Sequence, residues 1–102
     1  MTHSAIPAVA TRQIEDDGVI VTRWDFAPGA QTGWHRHALD YVVVPLVDGV
    51  MRLETDAGSG QERVSAGVSY RRPAGVEHNV INAGEDAFAF VEIELKGTHE
   101  GS

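Results

Sequence analysis

Gly67-Val68-Ser69-Tyr70-Arg71-Arg72-Pro73-Ala74-Gly75-Val76-Glu77-His78-Asn79-Val80-Ile81-Asn82 reads as two short strands hinged on one turn. Proline at 73 fixes φ and removes a backbone donor, and glycine at 75 is free to take positive φ, so the chain turns between 72 and 77. A strand over 69–71 therefore ends at the turn and a second one, Glu77–Asn82, leaves it. Pro73 and Gly75 shape the turn that delivers His78, and the side chain of Asn82 is placed to hold a loop by hydrogen bonds.

Working upstream, the next informative stretch is Gly33-Trp34-His35-Arg36-His37. Side chains two apart on a strand leave the same face, with Cα atoms about 6.6–6.8 Å apart, so the imidazoles of His35 and His37 can converge on one ion. Taken alone, the pair is equally read as surface or hydrogen-bonded histidines. The remaining two histidines, His3 and His99, lie in the terminal segments and are assigned to solvent.

Spacing joins the two stretches. Gly29, five residues, His35-Arg36-His37 and then Gly49 resembles the first motif of the cupin superfamily, and Gly67, five residues, Pro73-Ala74-Gly75, two residues, His78, three residues, Asn82 resembles its second motif at every fixed position. From average residue usage, a random window fits that second pattern with a probability on the order of 10⁻⁷. The resemblance implies an all-β fold, a single cupin-type double-stranded β-helix or jelly-roll barrel, with a metal held by His35, His37 and His78. Physics supports the assignment: three histidines turned into an apolar barrel each lose water, and a shared ion resolves that cost.

The rest of the chain suits such a barrel. No stretch carries a sustained helical apolar period, and short β-branched or aromatic runs are separated by turn signals. Strands are expected over 18–26, 33–37, 41–47, 50–55, 61–65, 69–71, 77–82 and 87–96. Ala27-Pro28-Gly29-Ala30 is a turn, Asp48-Gly49 reads as a hairpin, and Asp56-Ala57-Gly58-Ser59-Gly60 as a flexible connection. On the last strand, the face made by Ala87, Ala89, Val91, Ile93 and Leu95 is expected to be buried, with Phe88, Phe90, Glu92 and Glu94 opposite. The barrel is taken to run over 15–96 of a single domain spanning 1–102, with an N-terminal arm over 1–14 that is disordered or packs on a partner, and a frayed tail over 97–102.

The pattern departs from the family at one place. Members commonly carry a glutamate four residues after the second motif-one histidine, as a fourth ligand, and this chain has Tyr41 there and Val42 next. Three readings remain: a three-histidine site, a bulge near Pro45 that turns Asp40 inward, or a chain that has lost functional metal binding. Tyr41 is a further candidate ligand, or else a hydrogen-bonding or packing residue beside the metal. Tyr41, Tyr70, Arg52 and Gln31 are candidate pocket residues.

Composition bounds the chemistry. The 102 residues contain no cysteine, which excludes disulfides and thiolate metal sites. With 8 Lys+Arg against 15 Asp+Glu, a formal charge of −7, nucleic acid and anionic membrane are poor partners. The longest apolar run, 41–47, is far below the roughly 18–20 residues that span a bilayer, and the N-terminus has no basic start or apolar stretch, so a cytoplasmic location is expected.

Imidazole ligation suits a divalent transition metal, iron first, with zinc, nickel, copper or manganese as alternatives. Three neutral ligands leave the ion at +2, which favours an anionic or chelating ligand at its open positions. The expected function is a metal-dependent enzyme, dioxygenase-like, acting on a small organic acid or dicarbonyl in catabolism. A metal-assisted isomerase or hydrolase and a non-catalytic small-molecule binder are the alternatives. A homodimer is expected, because the apolar run 41–47 is a liability on an open edge.

Overall fold

The computed structural model describes residues 6–97, so His3, His99 and the extreme termini lie outside the described residues. Among these residues nine strands follow in order: β1 (Val9–Glu15), β2 (Val19–Phe26), β3 (His35–Arg36), β4 (Tyr41–Pro45), β5 (Gly49–Thr55), β6 (Gly58–Val64), β7 (Tyr70–Arg72), β8 (Glu77–Asn82) and β9 (Phe88–Leu95). They form two antiparallel sheets, β1-β2-β9-β4-β7 and β3-β8-β5-β6. From β2 onward the chain repeatedly passes from one sheet to the other, the connectivity of a double-stranded β-helix. Among the described residues no helix is long and apolar enough to cross a membrane.

The strand positions follow the expectation, and five local readings are corrected. Where an arm was expected over 1–14, Val9–Glu15 pair with β2 of the same chain as an exposed edge strand. Asp48-Gly49 is not a hairpin turn, because β4 and β5 belong to different sheets. Asp48 instead accepts the Ala66 N–H at 2.9 Å, and Gly49 is needed because a Cβ there would run into the Phe88 ring. The flexible connection over 56–60 is a tight hairpin: Thr55 pairs with Gly58, which supplies the positive φ of 126° that closes it. The run 41–47 is no open edge, since β4 lies between β9 and β7.

The fifth correction concerns β9 and positions the site. The face turned to the core is Phe88, Phe90 and Glu92, and of the face expected from the sequence only Ala89 is buried, with Val91, Ile93 and Leu95 half-buried. Register explains it. Paired residues share a face, so Phe88 stands beside Phe26, Phe90 between Trp24 and Pro45, Glu92 between Thr22 and Val43, and Glu94 between Ile20 and Tyr41. Phe26 anchors the apolar end, with ring centroids 5.9 Å from Phe88 and 5.4 Å from Phe90. Each such pair is worth about 0.5–1.5 kcal/mol beyond its buried area. The inner wall thus grades from aromatic at Phe26 to polar at Glu92, Tyr41 and Arg72.

Asn82 closes that apolar end. Its Nδ2 donates to the carbonyls of Phe26, Ala27 and Asp86 at 3.3, 3.3 and 2.9 Å, and its Oδ1 accepts the Gly84 N–H. One buried amide thereby satisfies several carbonyls that the strand ends leave without a ladder partner.

Candidate metal centre

His35 and His78 are directly opposed on adjacent strands β3 and β8. His37 lies one residue past the end of β3 and is held by the turn that the sequence singled out. Its N–H donates to Val76 O at 2.9 Å, and its own carbonyl accepts the Gly75 N–H at 2.7 Å. Gly75 reaches that geometry with φ 94°, a conformation that L side chains rarely adopt. The Pro73-Ala74-Gly75 turn therefore places two of the three histidines, one by covalent continuity and one by hydrogen bonds.

The imidazoles converge. Nε2 of His37 is 3.0 Å from Nε2 of His35 and 3.2 Å from Nε2 of His78. Ligand nitrogens on one ion at about 2.0–2.1 Å stand roughly 2.9–3.4 Å apart for angles between 90° and tetrahedral. The spacing suits shared coordination. Nδ1 of His35 lies 2.8 Å from Gly33 O; a carbonyl only accepts, so Nδ1 carries the proton and Nε2 presents its lone pair to the cluster. Burial first, and then the neighbouring His35, hold the pKa of His37 down to about 3 and that of His78 to about 4. Both are neutral, and so competent as ligands, at pH 7.

Tyr41 stacks on His37, ring centroids 3.8 Å apart and planes 19° apart. Its hydroxyl is buried with no hydrogen-bond partner among the described residues. Burial is the main cause of the rise in its pKa to about 12, opposed by the neighbouring Arg72. This orphaned donor and the neutral, converging imidazoles fit a centre completed by a metal and a bound ligand.

A cavity of about 360 Å³ opens beside the histidines, lined from one sheet by His35, Met51, His78 and Val80 and from the other by Trp24, Tyr41, Val43, Tyr70, Arg72, Phe90 and Glu92. That volume is at the small end of ligand pockets, which suits a small molecule. Tyr41 and Tyr70 thus stand where the sequence reading has them. Arg52 does not: its side chain is half exposed and bonds Glu54 at 3.1 Å, because it alternates with the inward Met51 and Leu53. Gln31 lies outside the cavity lining and accepts from Asn79 Nδ2 at 2.6 Å.

Asp40 is likewise turned away. Its carboxylate accepts the Ala74 N–H at 2.8 Å and pairs with Arg71 at 3.1 Å on the surface, contacts that lower its pKa. Asp40 braces the histidine-bearing turn from outside, and strand alternation sends it outward as it sends Tyr41 inward.

The carboxylate that does face the site is Glu92, which sequence reasoning left on an outer face. Its Oε2 is 3.9 Å from His37 Nε2, and it gathers with His37 and Glu94, not with His35 and His78. Burial first, and then the charge of Glu94, push its pKa up to about 7. The available signal was the alternation Phe88, Phe90, Glu92: two aromatics on the same face mark it as the core side.

A two-sheet barrel with a histidine cluster inside it is a cupin architecture, and the comparisons with known proteins agree on the family. The cupin domain family model matches residues 22–94, so the chain belongs to the cupin family. It is 57% identical over 89 residues to the beta-alanine degradation protein BauB of Pseudomonas aeruginosa, covering 87% of this chain and 94% of that protein. A cupin domain crystal structure from Bordetella pertussis superposes with a TM-score of 0.91 at 53% identity, over 93% of this chain and 99% of that one. A double-stranded β-helix protein from Klebsiella pneumoniae, at 19% identity and a TM-score of 0.74 over 97% and 85% of the two chains, shares the fold.

Proposed function

We propose that this chain is a mononuclear metal-dependent cupin enzyme, dioxygenase-like, that acts on a small organic acid or dicarbonyl in catabolism. The observation that carries the reading is the convergence of three imidazole Nε2 atoms, 3.0 and 3.2 Å apart, at the wall of a small cavity. His35, His37 and His78 would hold the ion, with iron as the first candidate. When bound, such a metal polarises a substrate oxygen as a Lewis acid and, if it is iron, supplies dioxygen chemistry.

The chain's own residues do the rest. Gly33 O fixes the tautomer of His35, Tyr41 pins the plane of His37, and the aromatic end of the barrel excludes water behind the site. The relative BauB, by name a beta-alanine degradation protein, supports a small organic acid as the substrate class. A cytoplasmic homodimer is part of the proposal; the exposed edge strand β1, with Val9 59% and Ile14 49% accessible, is the surface that favours pairing.

Elemental analysis of protein purified without chelator or nickel resin tests the metal. About one ion per chain is expected, lost in His78→Ala; metal content that is low and unchanged by the substitution rejects the reading. Oxygen uptake with a panel of small acids and dicarbonyls tests the reaction. Substrate turnover without uptake would point to isomerisation or hydrolysis, and binding without turnover to a non-catalytic binder.

A further inference from the structure

The inner wall facing the histidines holds one buried hydroxyl without a partner and one buried carboxylate without a cation. Tyr41, 2% exposed and part of the cavity lining, has a buried hydroxyl with no hydrogen-bond partner among the described residues. Glu92, 9% exposed, stands 3.9 Å from His37 and beside Glu94 and accepts from the Trp24 indole, but no Arg or Lys among the described residues pairs with it. A buried carboxylate without a cation and a buried hydroxyl without an acceptor each carry a desolvation cost, which a ligand of complementary charge removes.

The two groups belong to adjacent rows of one sheet. Arg72 and Tyr41 are directly opposed on β7 and β4, while Glu92 stands opposite Val43, one row further in and two residues along β4 from Tyr41. A guanidinium and a phenol hydroxyl side by side donate to a carboxylate; a carboxylate one row away accepts from an ammonium. Of the groups lining the cavity, Arg72 and Tyr41 thus put a cation and a donor in one row and Glu92 puts a carboxylate in the next, while Glu94, opposite Tyr41 on β9, lies outside that lining.

We propose that Arg72, Tyr41 and Glu92 form a zwitterion-reading wall, and that the ligand is a short amino acid whose carboxylate meets Arg72 and Tyr41 Oη while its ammonium meets Glu92. This narrows the substrate class and rests on the cavity beside the histidines being the functional site. The alternative for Glu92, direct ligation of the same ion, is disfavoured by its grouping with His37 alone of the three histidines.

Calorimetric titration of the full chain with 3-aminopropanoate, propanoate and propylamine tests it, with glycine and 4-aminobutanoate measuring the preferred length. The wild type is expected to bind one of the amino acids at least about tenfold more tightly than either fragment, since each charge-assisted contact contributes separately. Glu92→Gln should reduce that affinity to the level of propanoate and leave propanoate binding unchanged. Arg72→Gln and Tyr41→Phe should weaken the amino acid and propanoate together. Metal content, measured on the same samples, should stay at the wild-type value in all three variants.

Propanoate binding as tightly as every amino acid, no binding by any probe, or an E92Q variant with an unaltered preference would each overturn the inference. Loss of metal in E92Q would overturn it in favour of ligation. Failure of the metal reading is seen separately, as metal-free wild type, in which the ratio of amino acid to fragment affinity still decides the matter.

Discussion

The imidazole of His37 lies flat against the ring of Tyr41, centroids 3.8 Å apart, at the position where the family pattern commonly has a ligating glutamate. The chain thus has a packed aromatic in place of a fourth motif-one ligand, and the ring holds the plane of the histidine. The hydroxyl at its far end is left without a partner, which separates the two roles of Tyr41 by experiment.

Tyr41→Phe keeps the stack and removes the orphaned donor. An unsatisfied buried polar group costs about 1–3 kcal/mol, so Y41F in the ligand-free state should be more stable by about 1 kcal/mol in urea unfolding. Tyr41→Ala removes ring and stack and should lose about 3–5 kcal/mol, as large-to-small aromatic truncations do. A Y41F variant less stable than wild type would show that the hydroxyl has a structural partner.

Asp40→Ala should leave the metal content of the protein unchanged while lowering its thermal midpoint, because it frees the Ala74 N–H and Arg71 but touches no imidazole. Elemental analysis beside a thermal melt reads both effects. Metal lost from the Asp40 variant would make that residue a ligand after all.

The metal-free protein should respond to pH in two opposite ways. His37 and His78 titrate near 3 and 4 when folded against about 6.5 when unfolded, so between those values the unfolded chain binds more protons and stability falls as pH drops below about 6.5. Glu92 titrates near 7 folded against 4.5 unfolded, so its neutral form favours the fold and stability is lost as pH rises from about 4.5 through 7. Chelator-treated Glu92→Gln should therefore gain stability over wild type at pH 8, by up to about 3 kcal/mol, and almost none at pH 4. An equal difference at both pH values would place Glu92 in water.

Gly49→Ala drives a methyl into the Phe88 ring, which is wedged against Phe26 and Phe90. Overpacking of this kind costs about 1–3 kcal/mol, and the loss should appear in unfolding midpoints with the metal content retained. Gly49→Ala at wild-type stability would mean that the ring has room to move.

Much of this protein is local in origin and so was legible. The turn at Pro73-Ala74-Gly75 follows from two residues with restricted and relaxed φ, the spacing of His35 and His37 puts two imidazoles on one face, and His78 joined them through the resemblance of its motif to the cupin pattern. Asp40 and Tyr41 pointing to opposite sides is the period of a strand, visible in the residues themselves.

What the residues alone did not determine is which partner each strand takes. Asp48-Gly49 has the chemistry of a hairpin, yet β4 and β5 part into different sheets, since pairing depends on strands far along the chain. The face of β9 turned inward is fixed by its register against β2 and β4, and a one-residue difference exchanges every side chain between core and surface. That choice carries Glu92 to the histidines, and the pairing of β5 with β8 and β6 likewise turns Arg52 away from them. Sequence determined the three imidazoles and the turn that presents them; the tertiary structure decided which charges face them, because facing is a property of paired strands and not of any one of them.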